Sequence, residues 1–166
     1  MQGHDDWVWS VAFAPNGKLL ASTSGDATVK IWSIQENGSY SIFQTLTLHT
    51  KSVRTVAFSS DGRKIATGGV DRILWLWDTK TWEPIANYEH SDWIRSLAFN
   101  NQGYLASTSQ DGVIKLWDTN SNALIPKEIY PELHLPKLYE GMNLQGAKGL
   151  TQIQAKNLTA LGAISI

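Results

Sequence analysis

Short runs of alternating apolar and polar residues fill the chain from residue 4 to residue 118, separated by turn-forming residues. The stretch His90 to Asp118 shows the unit, with IRSLAF at 94–99, YLAST at 104–108 and VIKLW at 113–117. A period of two sends successive side chains to opposite faces, so each run predicts a β-strand. The unit also occurs from His4 to Ser33 and from His49 to Asp78. Its strands there are VWSVAF, LLAST and TVKIW, then VRTVAF, KIATG and ILWLW. The first two strands of each copy meet at Asn16-Gly17, Asp61-Gly62 or Gln102-Gly103. Asn-Gly and Asp-Gly favour tight hairpins because both central residues need positive φ.

The copies superpose by counting. His to Phe is nine residues in each (His4–Phe13, His49–Phe58, His90–Phe99), and Phe to Gly is four. Asp to Trp is six (Asp26–Trp32, Asp71–Trp77, Asp111–Trp117), and the Trp-to-Trp period is 45, then 40. A fourth strand is expected in each connector: Tyr40 to Leu48, Trp82 to Tyr88, and a shorter run around Ala123 to Ile125. Repeated sets of four antiparallel strands with tight turns predict the blades of a propeller.

The order Gly-His, a strand ending in Ala-Phe, an Asp-Gly-like turn, Ala-Ser/Thr, Asp and Trp-Asp resembles the WD-repeat family of β-propellers. Gly3-His4, Asp26 and Trp32-Ser33 carry it in copy one; His49, Asp71 and Trp77-Asp78 in copy two; His90, Asp111 and Trp117-Asp118 in copy three. Leu48 and Glu89 replace the Gly before His, and Ser33 replaces one Asp. One Trp-Asp dipeptide carries little weight; three in-phase copies of the whole pattern carry much. The resemblance covers about three quarters of the chain. It implies an all-β fold of three four-stranded antiparallel blades forming a partial, open propeller over 1–125, with blades at about 3–48, 49–89 and 90–125. It also implies a non-catalytic protein–protein interaction scaffold, not an enzyme, that binds its partners through one propeller face.

Composition narrows the field. A chain of 166 residues ordinarily holds one domain. The net charge of −1 gives no basic field to attract nucleic acid or an anionic membrane. With no Cys there is no disulfide framework and no thiolate metal site, and no cofactor is expected. The start MQGHDD lacks the apolar core of a secretory signal, and no apolar run approaches the ~18 residues of a membrane span. A cytoplasmic location is the default expectation.

Each copy also gathers a His, a Ser or Thr, an Asp and a Trp: His4, Ser22, Asp26, Trp32; His49, Thr67, Asp71, Trp77; His90, Ser107, Asp111, Trp117. Ser, His and Asp are the parts of a nucleophile, base and orienter. The resembled family instead uses these four types as a buried hydrogen-bonded tetrad that ties the first three strands together. Their donors and acceptors suffice for that. A catalytic triad needs an exposed hydroxyl, oxyanion donors and a cleft, and the sequence signals none of them. A serine hydrolase would be labelled by a fluorophosphonate probe.

Other positions divide between core and rim. Val29 and Ile31, Leu74 and Leu76, and Ile114 and Leu116 alternate on one face of the third strand. Positions three and five after the repeat His hold Trp7 and Trp9, Ser52 and Arg54, Trp93 and Arg95. By the resemblance these lie at the entrance of the first strand, on the rim of one propeller face. Gly25, Val70 and Gln110 flank the same rim. Trp and Arg are enriched in binding hot spots, so Trp7, Trp9, Arg54, Trp93 and Arg95 are the candidate protein-binding residues. The alternative is a solvated rim with aromatics half packed on neighbouring loops. Trp75 stands where the other copies have Lys30 and Lys115, an exposed or an inter-blade position.

Past Ile125 the pattern stops. Pro126, Pro131 and Pro136 predict an extended linker in which His134 has no ligand-spaced companions, hence no metal role. A Gly-rich segment follows. Thr151 with Gln154 makes a capping box for a short amphipathic helix from Gln152 to Leu161, stopped at Gly162. The segment 126–166 thus forms a second region. Its tail resembles that of bacterial proteins that join WD repeats to STAND-type signalling NTPases. That resemblance implies a sensor or autoinhibitory fragment as the alternative function. No G-x-x-x-x-G-K-S/T loop occurs here, so the NTPase would be on another chain. Three blades also make an arc, which leaves two apolar faces open. The missing blades of a longer parent protein, further copies or the tail would have to cover them. The tail covers at most one, so the isolated chain is expected to self-associate or to be poorly soluble.

Overall fold

The computed structural model describes residues 3–120, 127–128 and 133–134. The expected helix at 152–161 and the expected strand at 123–125 lie outside these residues. Blade one is β1 (Val8–Phe13), β2 (Leu19–Ser24), β3 (Val29–Ile34) and β4 (Tyr40–Leu46). Blade two is β5 (Val53–Phe58), β6 (Lys64–Gly69), β7 (Ile73–Asp78) and β8 (Pro84–Glu89). Blade three contains β9 (Ile94–Phe99), β10 (Tyr104–Ser109), β11 (Val113–Asp118) and β12 (Lys127–Glu128). Blades one and two are antiparallel sheets whose strands lie in chain order, and β9 to β12 of blade three follow the same order.

The fourth strand of blade three departs from the sequence reading. Lys127 and Glu128, expected in the linker, pair with Asp118 and Trp117 of β11. An edge strand offers a row of unpaired N–H and C=O groups, and a proline-flanked segment is already extended, so it can take that edge. The chain divides into two compact units, 1–133 and 134–166, and all three blades belong to the first.

The apolar cores lie between blades. Ala21, Val29, Ile31 and Leu46 of blade one pack on Val53, Val56, Ile65 and Trp77 of blade two. Ala66, Leu74 and Leu76, on the other face of blade two, pack on Ile94, Leu97, Leu105 and Trp117 of blade three. The Tyr88 ring lies 4.5 Å from that of Trp117, and burial pushes its phenol pKa up to about 12. Trp75 takes the inter-blade alternative: it packs on the first core, its ring 5.7 Å from that of Trp77. Ile114 and Leu116 are only half-buried, because no fourth blade stands beside them among the described residues.

Inside each blade a polar chain runs across the sheet. His4 Nδ1 is 2.8 Å from Asp26 Oδ2, His4 Nε2 is 2.8 Å from Ser22 Oγ, and Trp32 Nε1 donates to Ser22 Oγ at 2.8 Å. His49, Asp71, Thr67 and Trp77 repeat these contacts at 2.8, 2.9 and 3.0 Å. In blade three, Ser107 Oγ lies 2.8 Å from both His90 Nε2 and Trp117 Nε1. Asp111 differs, accepting from the Ser91 hydroxyl and the Val113 amide. The ends of the chain fix the protons in the middle. Indole only donates and an ionised carboxylate only accepts, so Nδ1 carries hydrogen and the hydroxyl donates to Nε2.

The Asp residues stay ionised. Burial works against the charge of Asp26, but the hydroxyl and amide of Thr28, the His4 ring and the Asp5 amide outweigh it and hold the carboxyl below its usual range. Burial likewise opposes the charge of Asp71, yet His49 and the amides of Ile73 and Thr50 keep its carboxyl low. A depressed folded pKa stabilises the fold above the unfolded value, ~3.9. That contribution is lost as pH falls through the lower folded value.

The Asp71 side chain is 4% exposed, and His49 and the amides of Thr50 and Ile73 rely on it. Asp71→Ala should cost about 1–3 kcal/mol in urea unfolding, the penalty for stranding buried polar groups. Asp71→Asn should weaken the loss of melting temperature between pH 7 and pH 3 relative to wild type; an unchanged acid slope would remove Asp71 from the network. At Gly69 an added Cβ would stand 2.2 Å from the Ser52 carbonyl oxygen and 2.9 Å from Val53 Cα, both backbone atoms. Gly69→Ala should therefore cost about 1–3 kcal/mol by overpacking, although blades one and three hold Ser24 and Ser109 at this position. A neutral result would show that β5 can shift.

Candidate functional site

The Ser–His–Asp contacts resemble the resting state of a hydrolase triad. In every blade the hydroxyl oxygen accepts from an indole N–H, which engages one of its two lone pairs. Ser22, Thr67 and Ser107 are all buried. A triad needs an accessible nucleophile and donors waiting for an oxyanion. This geometry ties strands together and keeps the three hydroxyls buried. Among the described residues no group of three or more His, Asp or Glu is placed to hold a metal ion.

The polar chain also positions the loop between the repeat His and the first strand. The amides of Asp5 and Thr50 donate to Asp26 and Asp71. The same backbone bond then closes the loop in each blade: Gly25 to Trp7, Val70 to Ser52 and Gln110 to Trp93, at 2.8, 2.9 and 2.9 Å. These are the expected flanking residues. Asp6 and Asp92 accept from the amides of Trp7 and Trp93, both at 2.7 Å. The loop is thereby fixed before any partner arrives.

A β-bulge follows in each first strand. Val8 pairs with Ser24 and Ser10 with Thr23, so Trp9 is passed over. Arg54 is passed over between Val53 and Thr55, and Arg95 between Ile94 and Ser96. A bulge breaks the strict alternation of faces and re-aims the extra side chain. The fifth residue after the repeat His thus leaves the strand's regular pattern in all three blades. The alternating run of apolar residues gave no hint of the bulge; its signal was the mismatch of a Trp or Arg among core positions.

The candidate residues gather as follows. Trp7 is 72% exposed, Trp9 40% and Trp93 39%. The Arg54 guanidinium lies 3.6 Å from the centre of the Trp9 ring, joining blade two to blade one, and the Trp7 ring is 5.6 Å from that of Trp9. The Arg95 guanidinium lies 5.4 Å from the Trp93 ring, and Arg95 Nε donates to Gln110 Oε1 at 2.5 Å. The structure therefore groups Trp7, Trp9 and Arg54 in one cluster, and Trp93 and Arg95 in another. Blade two contributes no aromatic: Ser52 is half-buried where blades one and three have Trp.

Comparison with known proteins agrees with this architecture. Residues 1–33, 40–78 and 82–118 each match the model of the WD domain, G-beta repeat. A WD repeat-containing protein 26 homolog of Arabidopsis thaliana is 34% identical over 122 residues, 71% of this chain and 20% of that protein. The small ribosomal subunit protein RACK1 of Drosophila melanogaster is 31% identical over 140 residues, 81% of this chain and 42% of that protein. The nuclear distribution protein PAC1 of Arthroderma otae is 32% identical over 139 residues, 71% of this chain and 30% of that protein. The chain thus spans less than half the length of these relatives. The crystal structure of the RRP9 WD40 repeats superposes with a TM-score of 0.72 at 22% identity, over 81% of this chain and 41% of that one, which supports the fold. The matched repeats end at 118, and these relatives of a plant, a fly and a fungus give no support to the tail's resemblance to bacterial signalling NTPases. With its repeat matched three times over most of the chain and folded into three blades, this chain belongs to the WD40 family of WD-domain, G-beta repeat proteins.

Proposed function

We propose that the chain is a non-catalytic scaffold that grips a protein partner on the rim formed by Trp7, Trp9, Arg54, Trp93 and Arg95. The observation that carries this reading is the cluster at blade one. Two exposed indoles lie tilted against each other there, with a guanidinium from the next blade over the Trp9 ring, next to loops fixed by backbone hydrogen bonds. Large apolar side chains held rigidly at the surface lose little entropy on binding, and Trp and Arg dominate measured hot spots. Arg54 has no carboxylate partner among the described residues, and its Nε has no hydrogen-bond partner there. That Nε is itself buried, so only the terminal nitrogens of the guanidinium could receive an acidic group or a carbonyl from the partner. The family gives the same coarse reading, since it is a family of protein-interaction scaffolds.

The rim is testable apart from the fold. Trp7→Ala with Trp93→Ala and Arg95→Ala should weaken capture of partners by at least roughly 30-fold, the effect of a loss of ~2 kcal/mol. Quantitative mass spectrometry of material purified on the wild-type and variant chains reads this out. The melting temperature should change little, because these side chains are exposed. Lys18→Ala with Arg63→Ala, in the turns at the opposite ends of the strands, should leave capture intact. Equal loss from both sets would sink the rim assignment.

A further inference from the structure

The two inter-blade cores are built from the same repeat positions. Blade two offers Val53, Val56, Phe58, Ile65 and Trp77 to blade one, and blade three offers Ile94, Leu97, Phe99, Leu105 and Trp117 to blade two. The equivalent residues of blade one are Val8, Val11, Phe13, Leu20 and Trp32. They meet no blade. Val11 is 60% exposed and Phe13 65%, and Val8, Val11, Leu20 and Trp32 line an open concavity of about 660 Å³. The mating half of each core is equally regular: Ala21, Val29 and Ile31 in blade one, Ala66, Leu74 and Leu76 in blade two. Its third instance is Ala106, Ile114 and Leu116 of blade three, half-buried where their counterparts are buried. Among the described residues each kind of half thus occurs once without a mating blade, largely exposed on blade one and half-buried on blade three.

We propose that two copies of this chain join head to tail, the open face of blade one in each seating on the open face of blade three in the other. The join would be a third instance of a packing that the chain already makes twice. Exposed apolar patches of this extent mark association surfaces. A heterologous contact closes into a ring only if its rotation closes. Two copies of three blades make six, inside the range of roughly four to eight blades that propellers adopt, whereas three copies make nine. In such a ring the first strands of both copies enter from the same side, so both rims point in one direction and present two binding sites to one partner assembly.

Sedimentation velocity on the full chain at micromolar concentration tests the proposal, with near-ultraviolet circular dichroism as the check on folding. The wild type should sediment as a dimer. Val11→Glu places a carboxylate on an already exposed position and should leave the fold intact while raising the dimer Kd at least about tenfold, because the charge would be buried unpaired. Leu116→Glu should do the same from the other face. An equimolar mixture of the two variants should recover an open dimer held by one join, between the blade-one face of the Leu116→Glu copy and the blade-three face of the Val11→Glu copy, while the other join carries both carboxylates. A monomeric wild type would overturn the proposal and assign the open faces to blades of a longer chain or to residues of the tail. A dimer broken by Val11→Glu and untouched by Leu116→Glu would mean that two blade-one faces pair with each other. Larger species that grow without limit would exclude the closed ring.

Discussion

A four-stranded sheet that is apolar on both faces cannot bury them by itself. That constraint governs this molecule. The third strands carry Val29 and Ile31 on one side and Trp32 on the other, and the first strands carry apolar residues on both. Each blade therefore needs a neighbour on either side, and the cores form between sheets. Among the described residues blade two alone has a blade on either side, and both of its faces are buried, Ile65 on one and Leu74 and Leu76 on the other. The same residue type changes environment with position in the row. Phe58 and Phe99 pack on a core, while Phe13 stands in solvent. Stability in such an array is a sum of blade terms and interface terms, so blade two is where one lesion reaches farthest.

The polar chains solve a second problem that close packing creates. A buried His, hydroxyl and indole each need a partner, because burial without one costs more than the bond returns. In blades one and two, linked in one order from Asp to Trp, they satisfy each other with no proton left over. The carboxylate end sits near the surface and also collects backbone amides, which lowers its pKa against the pull of burial. The loop after the repeat His is thereby tied to the turn after the second strand. A network that looks catalytic in a list of residue types is an internal brace once its burial and bonding are known.

Much of this was legible in the sequence, for a physical reason. Strand period, turn pairs and the fixed His-to-Phe and Asp-to-Trp spacings are local, and three copies average out the accidents of any one. The first strands of all three blades begin and end where the alternation placed them. What sequence did not disclose depends on neighbours. Whether Trp75 faced solvent or a blade turned on which face of β7 met blade one. The burial of Ile114 and Leu116 depended on a blade that the described residues do not contain. The fourth strand of blade three is a matter of edge pairing, which has weak side-chain demands, and it fell at Lys127–Glu128 within the presumed linker.

The bulges connect the brace to the binding surface. The three copies share one residue set where the tetrads lie, apart from the interchange of Ser and Thr, and they diverge three and five residues beyond the His: Trp, Ser and Trp, then Trp, Arg and Arg. Divergence is tolerated there because the bulge lifts the fifth residue out of the pairing register, so its size no longer has to fit between sheets. Freed from that demand, the position can carry a large or charged group. The adjacent brace still holds its backbone still, which keeps the entropy cost of recognition low. Arg54 over Trp9 then makes the rim of blade one dependent on the seating of blade two, so the binding surface inherits the order of the inter-blade core beneath it.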